Sequence, residues 1–466
     1  MKKLAFIMLL CLLNTGLIAQ QLSLRDTIDM AIQNNKDLLM AKEDVKIAEN
    51  NYKDVRGQLF PQLTLQGSLS HKVTNLSDNV MKGVNSGRDA LNDREGDDVD
   101  SLARGFLASS LPAATTEDNS LAGQLQFQQL IFSGGKLING LKVLDRIKTM
   151  QEKKYILEMQ NMVIIVVNSY YDLYLAQEGL KIQRQALQSA ENHLSNVEKL
   201  YGQGLVSEYD KLRAELEVSR LYPEVLNYEN MENLAEENFR RLTGHTGSAE
   251  INPTLDKEIL AQYDTNIELE QAIKAANDNR VELYLANLMT DIYGVQLKAE
   301  RSNFLPTMVL QADLTAFNTA NKFGASDFGN SRSIGLALQM PLFTGLSNSF
   351  KTLKAKHELR RAEYDAINIT ELINLEVRQA WQTFYQSLRY LETQEKNISL
   401  ASRALDIAQV RFENQTGIQL EVFDAQLQYS SAQISLALAQ INIIKAFYSL
   451  NKAIGNDLYN IIGDNS

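Results

Sequence analysis

The chain has 466 residues, 44% hydrophobic and 22% charged, with a formal net charge of −11. The hydrophobic content excludes a disordered chain. No run of about 18 apolar residues offers a helical membrane span, and the acidic balance argues against nucleic acid as a partner, because phosphate neutralisation needs clustered Lys and Arg. Composition alone therefore describes a large, acidic, soluble protein.

The N-terminus alters that description. Lys2 and Lys3 precede an apolar run from Leu4 to Leu13, and Leu17-Ile18-Ala19 follows. This pattern predicts a secretory signal peptide over residues 1–19. Cys11, the only cysteine, lies within the apolar core after Leu10, which is not the small residue that a lipid-acceptor cysteine requires. The mature chain is expected to carry no lipid anchor, disulfide or thiolate metal site.

The remainder is a duplication. Leu59-Phe60-Pro61 recurs as Phe304-Leu305-Pro306 at an offset of 245, and Phe132-Ser133-Gly134 recurs as Phe343-Thr344-Gly345 at an offset of 211. The first repeat is assigned to residues 20–250 and the second to 266–455, with a linker at 251–265 holding Pro253 and a tail at 456–466. The difference in offset places an insertion in the first copy at loop 74–120, which carries nine acidic residues. Each copy opens with helical periodicity that stops at Pro61 or Pro306.

The period then becomes two. Leu63, Leu65 and Leu69 alternate with Thr64, Gln66 and Ser68, and Ile334, Leu336, Leu338, Met340 and Leu342 alternate with polar or small residues. These segments predict two hairpins, 62–132 and 307–343, of strands about 10 residues long, the length of a tilted membrane strand. After each Phe-x-Gly turn come long helical stretches, 136–244 and 348–455. Each opens with a helix of about 100 Å at about 1.5 Å per residue. Tyr171 is matched with Trp381, Tyr174 with Phe384 and Val197 with Ile407. Pro223 predicts a kink in the first return helix. Four strands cannot close a barrel and open sheet edges are not tolerated in hydrocarbon, so a membrane reading requires oligomerisation.

The order of helix, proline stop, strand, loop, strand, Phe-x-Gly turn, long helix, glycine tip and return helix, occurring twice, resembles the TolC family of outer membrane efflux proteins. The resemblance also rests on Leu24 through Ala31 to Asn34-Asn35, on Gly204-Leu205-Val206-Ser207 with Asp210, and on Gly417 followed by Glu421-Val422-Phe423-Asp424-Ala425. It covers Gln20 to about Gly455. It implies a mainly α chain with transmembrane β structure, in which antiparallel helices form an α-helical barrel continuous with a 12-stranded β-barrel in a homotrimer. It also implies outer membrane lipid, a periplasmic adaptor and an inner membrane pump as partners, and passive conduction of substrates.

By the same resemblance, Glu421, Asp424 and Asp210 match an acidic ring at the periplasmic entrance, where carboxylates around one axis select cations. An acidic residue at a helix start also favours the helix dipole without any further role. Gly204, Leu205, Val206, Ser207, Thr416 and Gly417 match the tips that meet the adaptor. Gln415 departs from the pattern by occupying the place of a tip glycine. His71, His193, His245 and His357 have no metal-ligand spacing and are read as ordinary surface or wall residues. The acidic run 93–100 lacks a proper calcium loop. No cofactor, metal or catalytic constellation is expected, and the protein is not read as an enzyme. The competing reading is a secreted structural coiled coil with adhesive hairpins.

Overall fold

The computed structural model describes residues 23–75, 115–245, 251–255, 267–320 and 328–464, with four isolated positions between residues 82 and 89. The expected signal peptide, the acidic run 93–100 and most of loop 74–120 lie outside the described residues. The chain divides into two compact units. One comprises residues 51–143 and 295–355, the other residues 1–50, 144–294 and 356–466.

The elements repeat in order. Helices α1 (Leu24–Asn34) and α2 (Lys36–Gly57) precede strands β1 (Gln62–Asn75) and β2 (Thr115–Phe132), then α3 (Lys136–Gly202) and α4 (Glu208–Thr243). The second copy gives α5 (Leu269–Asn279), α6 (Val281–Arg301), β3 (Thr307–Ala320), β4 (Gly329–Gln339), α7 (Ser347–Glu413) and α8 (Gln419–Ile454), and a short α9 (Leu458–Asp464) follows. The duplication holds to the residue: α3 and α7 are both 67 residues long, and α4 and α8 both 36.

Backbone handedness repeats as well. Positive φ among the described residues occurs at Gly134, Gly135, Gly204 and Gly244, and again at Gly345, Leu346, Gln415 and Gly455, each 211 positions later. The long helices therefore align at 211. Tyr170 corresponds to Trp381, and Leu173 to Phe384, the latter two both fully buried. The sequence-based pairing of Tyr171 with Trp381 and Tyr174 with Phe384 was one residue out. Such a slip turns a helix face by about 100°.

The strand unit is one antiparallel sheet in the order β1-β2-β3-β4. Alternation sorts its faces. One row across the sheet is Leu63, Phe127, Ala312 and Ile334; the next, on the opposite face, is Thr64, Gln126, Asp313 and Ser333. Asp313 accepts hydrogen bonds from Gln124 (3.2 Å) and Ser333 (3.3 Å). The strands run to 14, 18, 14 and 11 residues rather than about 10. Backbone pairing continues through polar residues such as Asn75 and Thr115, so both ends of the expected loop 74–120 belong to the ladder. In contrast β4 stops at Gln339 instead of continuing to Leu342, because Pro341 has no N–H to give a ladder. At the turn into α3, a Cβ on Gly134 would lie 2.6 Å from Leu305 Cβ and 2.9 Å from the Ser302 carbonyl, so glycine is required there by contact as well as by φ.

In the helical unit, Tyr170, Phe239, Phe384, Ile441, Ile444 and Tyr448 are fully buried in one core contributed by α3, α4, α7 and α8. The order of the helices follows from their contacts. Arg184 pairs with Glu229 (2.8 Å) between α3 and α4. Ser189 reaches Gln426 (3.3 Å) between α3 and α8, and Phe384 meets Phe447 (6.3 Å between centroids) between α7 and α8. The layer thus reads α4-α3-α8-α7, with α4 and α7 at its edges. Helix α4 runs unbroken through Pro223, where the sequence predicts a kink. The start of the expected linker is anchored: Ile251 is buried, its carbonyl accepts from Gln177 (2.9 Å), and Thr254 N–H donates to Tyr170 (2.9 Å).

One cap differs between the copies. In the first, Asn35 donates to the Leu242 carbonyl at the end of α4 (3.4 Å). In the second, Arg280 takes that place and donates to the Lys452 and Ala453 carbonyls (both 3.2 Å). It also pairs with Glu282 (2.8 Å) and Glu376 (2.9 Å) while only 5% of its side chain is exposed. A buried cation on the negative end of α8 is favourable only while those carboxylates are present. Arg280→Met is expected to lower stability by about 2–3 kcal/mol, measured by thermal unfolding followed by circular dichroism.

Candidate functional site at the hairpin tips

Each long helix reverses into its return helix through a short tip. In the first, Gly204 at φ 73° lets the Leu205 N–H return to the Leu200 carbonyl (3.0 Å), closing the helix end. Ser207 then caps α4 in a capping box. Its hydroxyl accepts from the Asp210 N–H (3.2 Å), and the Asp210 carboxylate accepts from the Ser207 N–H (3.1 Å) and hydroxyl (2.6 Å). Leu205 and Tyr209 stand exposed.

The second tip reproduces the path with poorer residues. Gln415 holds the left-handed conformation (φ 59°) that Gly204 holds in the first copy. Thr416 N–H and Gly417 N–H both donate to the Arg411 carbonyl (2.8 and 3.0 Å). The N-cap position is Ile418, exposed and with no side chain able to accept, so the capping box is lost. Gln419 beside it is buried with neither amide atom hydrogen-bonded among the described residues. Arg411 compensates: it pairs with Glu421 (3.4 Å) and donates to the Thr416 carbonyl (3.3 Å).

The three sequence-predicted carboxylates consequently have three local settings. Asp210 is committed to the α4 cap, and Glu421, its counterpart 211 residues later, is paired with Arg411. Asp424 is exposed, with no ion pair among the described residues. No hydrogen bond or ion pair among those residues joins Asp210 to the other two. Gly204, Leu205, Val206 and Ser207 form one tip, and Thr416 and Gly417 lie in the other.

Sequence reasoning missed Arg411 and also His193. His193 was read as a surface or wall position, yet its ring packs between Phe412 of α7 (5.0 Å) and Phe423 of α8 (5.1 Å). Burial holds its pKa below the ordinary value. The signal was present, because Ala186, Ala190, His193 and Val197 share the spacing of one buried helix stripe.

The family model for outer membrane efflux proteins matches residues 27–245 and 272–456. The chain belongs to the outer membrane efflux protein family. It is 22% identical over 357 residues to "Outer membrane protein TolC" of Vibrio cholerae, covering 76% of this chain and 81% of that one. It is 21% identical over 443 residues to "Outer membrane efflux protein BepC" of Brucella suis, with 95% and 87% covered. In fold it is similar to the crystal structure of the Campylobacter jejuni CmeC outer membrane channel, with a TM-score of 0.74 at 15% identity over 95% of this chain and 89% of that one. An efflux protein of this family resides in the outer membrane, and the mainly helical, duplicated chain with its four-stranded sheet is the architecture of that family's channels. No helix among the described residues is long and apolar enough to cross a membrane.

Left-handed backbone costs an L-residue about 1–2 kcal/mol. Gln415→Gly is therefore expected to stabilise the second tip by about 1 kcal/mol and Gly204→Ala to destabilise the first by a similar amount. The check is hydrogen exchange of the tip amides.

Proposed function

We propose that this protein is the outer membrane exit duct of a tripartite efflux or secretion system. Three copies close one channel, which passively conducts substrates delivered by a periplasmic adaptor and an inner membrane pump. The observation that carries this reading is that both units stop at unpartnered edges. Among the described residues, strands β1 and β4 are paired on one side only. Unpaired backbone along them is not tolerated in hydrocarbon, so each needs a neighbouring copy. The apolar row of the sheet faces lipid and the row through Asp313 faces the channel.

The helical layer supports the same closure. Its edge helices expose apolar residues, among them Tyr209, Leu212 and Leu216 on α4 and Leu400 and Ile407 on α7. The duplication supplies a template for covering them. Within the chain, His193 on α3 meets Phe412 and Phe423 of the second hairpin. Shifted by 211, the same contact is Ala404 on α7 against Tyr201 and Leu212, which are exposed on the first hairpin. A neighbouring copy would supply it.

A short bis-maleimide on the double variant Ala404→Cys with Leu212→Cys is expected to give covalent trimers from detergent-extracted protein. Exclusively monomeric product would reject the closure. Cys11 is the only native cysteine, so the labelling is clean.

In this assembly the tips form the periplasmic entrance, with Glu421, Asp424 and Asp210 contributing its acidic character and Gly204, Leu205, Val206, Ser207, Thr416 and Gly417 its adaptor-facing rim. Asp424, which has no local partner, contributes most, and Arg411 opposes it. In planar bilayers under a salt gradient, Asp424→Asn is expected to lower cation selectivity and Arg411→Gln to raise it. Equal reversal potentials for the two variants and the unmodified channel would reject the acidic entrance.

A further inference from the structure

We propose that His193 is an acid-responsive clasp that fastens the first helical hairpin to the second near their tips and lets go when it gains a proton. The ring lies on the buried stripe of α3, less than three turns from the helix end at Gly202. It is tilted against Phe412 and edge-on to Phe423, so one imidazole joins α3 to both helices of the second hairpin. Its Nε2 atom is buried and has no hydrogen-bond partner among the described residues.

That geometry suits the neutral ring and penalises the charged one. A neutral imidazole can leave Nε2 as an unfilled acceptor at a modest cost. An imidazolium places an N–H and a charge there, and an unpaired buried charge is unfavourable. Attraction between the cation and the two phenyl rings offsets only part of this. Among the described residues nothing is positioned to accept a proton carried at Nε2. The charged groups on the stretches beside it are Glu191 and Glu198 on α3, Arg411 and Glu413 on α7, Glu421 and Asp424 on α8, and Lys211, Arg213, Glu215 and Glu217 on α4, where Lys211 pairs with Glu215 (3.5 Å). Arg411 pairs with Glu421 and Glu217 with Arg220, and burial is the sole cause of the lowered pKa of His193.

The sign follows. Above the ordinary imidazole value of about 6.5 the clasped and released states are both neutral and the clasp is at full strength. As pH falls from there towards the lower value of the clasped ring, the released state binds more protons and the clasp weakens. The device is also asymmetric. The counterpart of His193 in the second copy is Ala404, and those of Phe412 and Phe423 are Tyr201 and Leu212. The histidine is thus present at the junction within each chain and has no counterpart at the proposed one between chains.

The effect on opening rests on the tips being the channel entrance, so the clasp is read separately from conduction. Spin labels at Asn192→Cys on α3 and Gln428→Cys on α8 report the distance between the helices in the detergent-solubilised full chain. Between about pH 7.5 and about pH 5, which bracket the ordinary imidazole value, the distance distribution is expected to lengthen and broaden, with a midpoint below about 6.5. Roughly nine-tenths of the change should be complete one pH unit below that midpoint. The change should vanish in His193→Phe and in His193→Gln, the latter guarding against misfolding of the bulkier variant. An unchanged distribution in the parent protein, or the same change in both variants, overturns the proposal. Conductance of the same proteins over the same range then tests the entrance. A distance change without a conductance change upholds the clasp and counts against the tips as the gate.

Discussion

A β-strand at the edge of a sheet presents a row of N–H and C=O groups that need partners, and lipid supplies none. The four-stranded sheet has two such edges, β1 and β4, and among the described residues no strand pairs with the outer side of either. For a chain of an outer membrane family this constraint governs the rest. In hydrocarbon such a sheet is stable only as part of a closed ring, which is the basis of the proposed three-copy channel. The helical layer follows the same logic in a milder form. Its edge helices α4 and α7 carry exposed apolar residues that water tolerates at a cost of about 25 cal/mol per Å², whereas an unpaired ladder in hydrocarbon is not tolerated at all.

Duplication makes such a segment economical to encode, because each copy supplies a long helix, a reversal, a return helix and a hairpin. The copies share helix lengths and left-handed positions, but their side chains have diverged at the two tips. The first tip is a well-made helix reversal with Gly204, Ser207 and Asp210. The second uses Gln415, Ile418 and Glu421, and holds itself by the Arg411 ion pair. A reversal whose side chains contribute one half-exposed ion pair and no N-cap is easier to rearrange than one with a glycine turn and a capping box. The weaker tip is also the one beside Phe412 and Phe423, which receive His193.

Much of this was legible in the sequence because its causes are local. Pro61 and Pro306 stop helices by ring geometry, alternation from Leu63 and from Met308 marks strands, and Gly244 and Gly455 end the return helices in the left-handed conformation. The candidate carboxylates Glu421, Asp424 and Asp210 came from the family resemblance, by their place after each glycine tip. Their state was not legible, because whether Asp210 caps, Glu421 pairs or Asp424 stands alone depends on side-chain geometry across a turn. The alignment of the long helices was misjudged by one residue, because apolar residues on neighbouring stripes score alike until buried partners decide between them.

The sequence by itself determined the duplication, the order of elements and the family, since these are written in spacing and turn chemistry along the chain. Only the tertiary structure decided what lies between elements distant in sequence: Arg280 on the end of α8, Tyr170 holding Thr254, and His193 between two phenyl rings more than two hundred residues away. The physical reason is range. Backbone preferences act within a few residues, whereas burial and the pairing of buried polar atoms depend on which surfaces the fold brings together.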